Sequence, residues 1–238
     1  MKLKHITFTG IGIDTDIEEL KQIQREYPIV EFGVLLSKNW KENGQRYFDP
    51  SELYRLRFTG LNLSCHVCGS IARDAIKDKW EPLYELTRGM LGIFNRCQLN
   101  VAYEQPTEET PSVRPPLDLN ELIIQQRCAN RMELFNTIRN RNGMSVLLDP
   151  SGGRGIQALM APPGIIGLKT GYAGGFDHNN VKDKLICLFC NEYVGDFWID
   201  MESSVRTDDK FDLNKVRRIL EICTPIIKKY KNYERERA

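Results

Sequence analysis

The sequence predicts an eight-stranded parallel α/β barrel. Three observations carry that prediction. Short β-rich runs alternate with longer amphipathic ones from end to end, there are about eight such runs, and within them polar residues keep to one parity. The length, 238 residues, suits one such domain over 1–238 and can bury a sizeable core.

The strands fall in order at 4–9 (KHITFT), 30–36 (VEFGVLL), 61–66 (LNLSCH), 96–102 (RCQLNVA), 122–127 (LIIQQR), 144–149 (MSVLLD), 168–173 (LKTGYA) and 196–201 (DFWIDM). Amphipathic helical patterns lie at 16–27, 72–90, 130–140, 179–193 and 212–232. Two connections break the rhythm. Residues 105–119 hold four prolines, so an extended Pro-rich loop is expected to replace the fourth helix. Residues 150–164, PSGGRGIQALMAPPG, leave room for only a turn or two of helix.

Sorting by parity opposes Ile6 and Phe8 to His5, Thr7 and Thr9 in the first strand. It opposes Leu61, Leu63 and Cys65 to Asn62, Ser64 and His66, and Cys97, Leu99 and Val101 to Gln98 and Asn100. In the last run Phe197, Ile199 and Met201 oppose Trp198, Asp200 and Glu202, and Asp149 closes the sixth. In a barrel the apolar parity meets the outer helices and the other lines the interior, so polar groups converge on the C-terminal mouth. An open sheet with one wet face would read the same, but parallel sheets seldom leave a face exposed.

Charge is balanced, with 33 basic and 32 acidic residues, so no net field draws in nucleic acid or an anionic membrane. A small neutral-to-anionic ligand fits better. The seven cysteines sit in apolar segments without a secretory signal or a membrane-spanning run, which points to a reducing cytoplasm and free thiols. Nothing in the sequence separates a monomer from a homodimer. GIGID near the start lacks the spacing of a dinucleotide fingerprint, and no cofactor is expected. Cys65, His66 and Cys68 have the composition of zinc ligands, but Cys65 takes the helix-facing parity and no second pair follows, so no metal is expected either.

The glycine pair in KTGYAGGFDHNNV, 169–181, either makes a tight turn or cradles an anion. In the second case the backbone N–H groups of Gly174 and Gly175 approach a phosphate at a helix start capped by Asp177, with Val181, Leu185 and Leu188 on the inner face.

These motifs resemble phosphoribosylanthranilate isomerase, a (β/α)8 TIM barrel. GYAGGFDHNNV looks like that family's seventh-strand glycine loop, and WIDMESSVRTDDKFDLNKVRRI like its eighth-strand DVSSGVE motif and the helix after it. VLLDPSGGRG is similar to its sixth strand, the Arg46 segment to its second-strand turn, and FTGI stands where the family has Lys-Ile-Cys-Gly. The resemblance implies acid–base proton transfer on a small phosphorylated sugar or sugar-like metabolite, of the aldose–ketose isomerase type. It implies phosphate held by Gly174, Gly175, Ser203 and Ser204, Asp149 as acid, and Arg46 meeting a substrate carboxylate. Asn100 and Arg206 are further substrate-binding candidates.

The catalytic cysteine is absent, because Thr9 takes its place and a hydroxyl is too weak an acid to ionise near neutrality. Glu202, expected to lie near Thr9 across neighbouring first and eighth strands, is a candidate base, and His66 is another. Arg206 stands where the family has glutamate and is placed to pair with Glu202. Structural roles remain open beside these: Ser203 and Ser204 or Asp149 as caps, His66 as a hydrogen-bonded core histidine, Arg46 on the surface. A non-catalytic phosphate-ligand binder, or a lyase or epimerase on a related substrate, are the alternatives.

Overall fold

A computed structural model describes residues 3–101, 113–126, 142–151, 168–191 and 195–236, side chains of 43–45 and 233–236 excepted. Eight parallel strands close on themselves in sequence order: β1 (Leu3–Thr9), β2 (Val30–Leu36), β3 (Leu63–Cys68), β4 (Arg96–Asn100), β5 (Glu121–Gln126), β6 (Met144–Leu148), β7 (Thr170–Tyr172) and β8 (Phe197–Met201). Closure comes from β8 against β1, with Thr7 opposite Asp200 and Phe8 opposite Met201. The (β/α)8 barrel expected from sequence is therefore the architecture, with strand limits shifted by at most a few residues.

The outer layer follows from local chemistry. In α1 (Ile17–Glu26) the Asp16 carboxylate accepts from the N–H groups of Glu18 and Glu19, and Leu20 and Ile23 are buried. Two 3₁₀ segments, Trp40–Arg46 and Pro50–Leu56, cross between β2 and β3. The helix expected over 72–90 is two, α2 (Ser70–Ala75) and α3 (Glu81–Thr87). Pro82 at the start of α3 cannot donate backward, and Asp78 turns the chain at φ 63°. Next comes α4 (Val181–Cys190), with Val181, Leu185 and Leu188 inward as expected. Asp177 caps the turn before it by accepting from Asn179 and Asn180. A hairpin of β9 (Arg206–Thr207) and β10 (Lys210–Phe211) follows β8, its turn made by Asp208 and Asp209 at positive φ. It leads into α5 (Leu213–Glu236), capped by Asp212, which accepts from Asn214 and Lys215. The helical pattern at 130–140, residues 105–112 of the Pro-rich connection and residues 152–164 lie outside the described residues; 113–119 contain no helix.

Parity sorts as the alternation requires. Ile6, Phe8, Leu63, Cys65, Cys97, Leu99, Phe197, Ile199 and Met201 belong to the buried layer between strands and helices. Inside the barrel, the N-terminal end is plugged by charge. Arg96 forms a two-point contact with Glu31 (Nε to Oε2 2.7 Å, Nη2 to Oε1 2.6 Å), and Thr7 donates to Glu31 at 2.9 Å. Glu121 accepts from Ser145 and Lys169, each at 2.6 Å. The Arg96 guanidinium lies 4.5 Å from the ring centre of Trp198, which packs with Ile123 and Leu147 in a small inner cluster. Gly171 makes room for that indole, since a Cβ there would stand 2.2 Å from it. Above this floor the polar residues open toward the C-terminal mouth. Among the described residues, no helix is long and apolar enough to cross a membrane.

Candidate active site

Thr9 and Asp200 project from adjoining strands into the same interior space, and Thr9 Oγ1 donates to Asp200 Oδ1 at 2.8 Å. His66, from β3, reaches the pair: Nδ1 stands 3.5 Å from Thr9 Oγ1 and 3.8 Å from Asp200 Oδ2. Ser64 lies 3.2 Å from its Nε2, and Gln98 Nε2 lies 3.1 Å from its Nδ1. Gly33 on β2 allows this crowding, because a Cβ there would sit 2.5 Å from Thr9 Oγ1 and 3.0 Å from His66 Nε2. All three residues are buried. Burial pushes the Asp200 carboxyl up to about 7 against the opposing hydrogen bond from Thr9, with Glu31 and Asp149 raising it further. Burial pulls His66 down to about 4, so its imidazole is neutral at neutral pH.

Asp149 sits just past the end of β6. Its Oδ2 accepts from Gln125 Nε2 at 2.8 Å, and its Oδ1 from the Ser151 N–H at 3.0 Å and hydroxyl at 2.6 Å. On the far wall Gln98 Nε2 donates to Asn100 Oδ1 at 2.8 Å, and Asn100 Nδ2 to Cys68 Sγ at 3.3 Å. The buried Gln98 Oε1 has no hydrogen-bond partner among the described residues. His66, Gln98, Asn100, Gln125, Asp149 and Asp200 line one cleft with the loops that follow β7 and β8.

The loop after β7 has a defined polarity. Gly174 and Gly175 take φ 95° and 63°, positions that favour glycine. Their carbonyls are held from outside: Lys184 Nζ donates to Gly174 O at 3.1 Å and Gly175 O at 3.2 Å, and Asn180 Nδ2 to Gly175 O at 2.7 Å. In a trans peptide the N–H points opposite to the carbonyl, so the N–H groups of Gly175 and Phe176 turn away from Lys184. None of the N–H groups of Gly174, Gly175, Phe176, Ser203 and Ser204 has a partner among the described residues, nor does the buried Ser204 hydroxyl. All five residues line the cleft. A set of unpaired donors in a partly buried wall can accept an anion.

Glu202 also lines the cleft, but its partners differ from those expected. It forms its ion pair with Arg46, from the β2–β3 connection. Arg206 instead donates from Nη2 to the carbonyls of Gly10 (3.1 Å) and Arg46 (3.2 Å), and from Nη1 to that of Asp209 (2.5 Å), tying three loops together. Nor does Glu202 hold Thr9, whose carboxylate partner is Asp200. The reason is local. Glu202 is one residue past the end of β8 with ψ −69°, so the strand alternation no longer governs its side chain. Cys65 and His66 project to opposite faces of β3, the first into the outer core.

Asp200, Gln98, Gln125 and Lys184 are the site residues that the motif reading passed over. For Asp200 and Gln98 the signal was present, since parity sends both inside. Lys184 could have been found four residues into the helix after the glycine pair, on the face that returns to it.

The sequence matches no protein-family model and no curated protein. The fold, in contrast, resembles solved barrels. An N-(5'-phosphoribosyl)anthranilate isomerase from Pyrococcus furiosus superposes with a TM-score of 0.55 at 16% identity, covering 93% of this chain and 98% of that one. A phosphoribosyl anthranilate isomerase from Thermococcus kodakaraensis gives 0.51 at 13%, with 92% and 98% covered. Monomers generated from the dimeric enzyme of Thermotoga maritima give 0.51 at 14%, with 94% and 100% covered.

Proposed function

We propose that this barrel is an isomerase-type enzyme that moves a proton between neighbouring carbons of a phosphorylated sugar or sugar-like compound. The observation that carries the reading is the placement of a buried carboxyl, Asp200, in the same cleft as the unpaired N–H groups of the β7 and β8 loops. The solved barrels with this fold are isomerases of a phosphoribosyl compound, which supports the same class.

In this reading the phosphate docks on the N–H groups of Gly174, Gly175, Ser203 and Ser204, with the Lys184 ammonium behind the loop. The sugar carbons then lie over Asp200. A group that accepts and returns a proton works best with a pKa near the working pH, and Asp200, raised to about 7, meets that condition where His66, lowered to about 4, does not. Asp200 takes the C2 proton, giving an enediol, and returns it to C1. Asp149, the acid of the resemblance, exchanges protons with the sugar oxygens. Thr9 orients Asp200 through the 2.8 Å hydrogen bond, which replaces the missing thiol with a positioned carboxylate. Glu202, with its charge engaged by Arg46, is the weaker base.

Incubation with aldose 5- and 6-phosphates in heavy water tests the reading, with deuterium at C2 followed by NMR. Exchange by the wild type, falling about 100- to 10,000-fold in Asp200→Asn, is the expected outcome. Bound sugar phosphates with no exchange would leave a binding barrel in place of an enzyme.

A further inference from the structure

The cleft is lined by two chemically different sets of groups. One set is the unpaired backbone N–H groups of the β7 and β8 loops. The rest of the described lining supplies the carboxyls of Asp149, Asp200 and Glu202, the amides of Gln98, Asn100 and Gln125, and a neutral imidazole. Every described cation bordering it is already engaged: Arg46 by Glu202, Arg206 by three carbonyls, and Lys184 by the carbonyls of the glycine loop. Glu202 matters most here. It places a carboxylate of the protein's own on the one guanidinium that could otherwise take a carboxylate from a ligand, and a second anion there would displace it or face it as a like charge.

We infer that Glu202 is a specificity-determining residue that restricts the cleft to hydroxyl-rich ligands whose phosphate is their one anionic group: a phosphorylated polyol or sugar whose other end is uncharged, as against one ending in a carboxylate. The inference rests on the phosphate end proposed above. Gln98 lines the same cleft, and its Oε1, without a hydrogen-bond partner among the described residues, can accept from a ligand hydroxyl but not from a carboxylate, which has no proton to give. Gln98 and Asn100 form a continuous amide wall on the same side, the kind of surface that reads hydroxyl groups.

Glucitol 6-phosphate and 6-phosphogluconate test this directly, because they share the chain and the phosphate and differ at C1 in a hydroxymethyl against a carboxylate. Calorimetry on the wild type is expected to show glucitol 6-phosphate binding tighter by about tenfold or more. In Glu202→Gln, which frees Arg46 at nearly constant volume, the gap should close or invert. In Arg46→Gln, which leaves Glu202 uncompensated, it should widen. Equal or tighter binding of 6-phosphogluconate to the wild type overturns the inference whether or not either variant folds, and so does a ratio that Glu202→Gln leaves unchanged. Titration with inorganic phosphate separates the two layers of argument. Phosphate binding with both sugars silent overturns the specificity inference alone, whereas no phosphate binding removes the cradle and the inference with it.

Discussion

At Asp200 two influences oppose each other: the dry interior favours the neutral acid, while Thr9 donates to the charged form. Burial is the larger, and the raised pKa links catalysis to stability. The native state keeps the Asp200 proton to about pH 7, whereas the unfolded chain releases it near 3.8. This group therefore stabilises the fold fully below about pH 4, and its contribution, on the order of 4 kcal/mol, is lost as pH rises through 7. His5 and His66, both lowered to about 4, act in the opposite sense and are lost as pH falls from 6.5 to 4. Replacing Asp200 by Asn isolates the first contribution: measured against wild type, the melting temperature of Asp200→Asn should rise from pH 5 to about pH 7 and level off above it. A difference independent of pH would show that Asp200 titrates normally. Alternation in WIDMES made the inward direction of Asp200 legible. Which carboxylate meets Thr9 was not, because it depends on where β8 ends, and that end is set by the turn at Glu202.

Two elements meet at the mouth through glycine. On β2, Gly33 lets Thr9 and His66 close over it; Gly33→Ala would bring a Cβ within 3.0 Å of the Thr9 backbone, which cannot swing aside. A loss of about 1–3 kcal/mol in chemical denaturation is expected, together with weakened C2 exchange. In the β7–α4 loop, Gly174 holds φ 95° and the N–H groups that the proposal assigns to phosphate. Gly174→Val should abolish binding of phosphorylated ligands while the far-UV circular dichroism stays that of the wild type, and calorimetry with unchanged affinity would remove the cradle. The loop was readable as a glycine pair before a helix. Its polarity was not, since the orientation of the peptides depends on Lys184 of α4 and on Asn180 just before it, both of which reach back to the loop. The break between α2 and α3 escaped the periodicity for a related reason, because Pro82 falls in a pattern whose apolar positions continue across it.

On the scale of the whole molecule, closure forces charges that are far apart in sequence into one dry interior. Glu31 is held down to about 2 by Arg96 despite complete burial, and neither residue stands out in its strand. Arg96→Met leaves that carboxylate unpaired and should cost about 3–5 kcal/mol in urea denaturation, with Glu31→Gln in the same chain restoring most of it. An Arg96→Met loss no larger than that of a surface substitution would make the plug dispensable. The fold was legible because strand count and parity are properties of each run alone, whereas this plug and the pairing of Arg46 with Glu202 appear only once the barrel is closed. That closure also brings the loops after β7 and β8 into one cleft with Asp200 of β8 and Thr9 of β1. A crystal structure with a bound aldose phosphate tests this arrangement most directly. The expected result is phosphate oxygens within about 2.6–3.2 Å of the N–H groups of Gly175 and Ser204, with C2 of the sugar facing Asp200. A phosphate seated elsewhere, or a sugar chain directed away from Asp200, would contradict it.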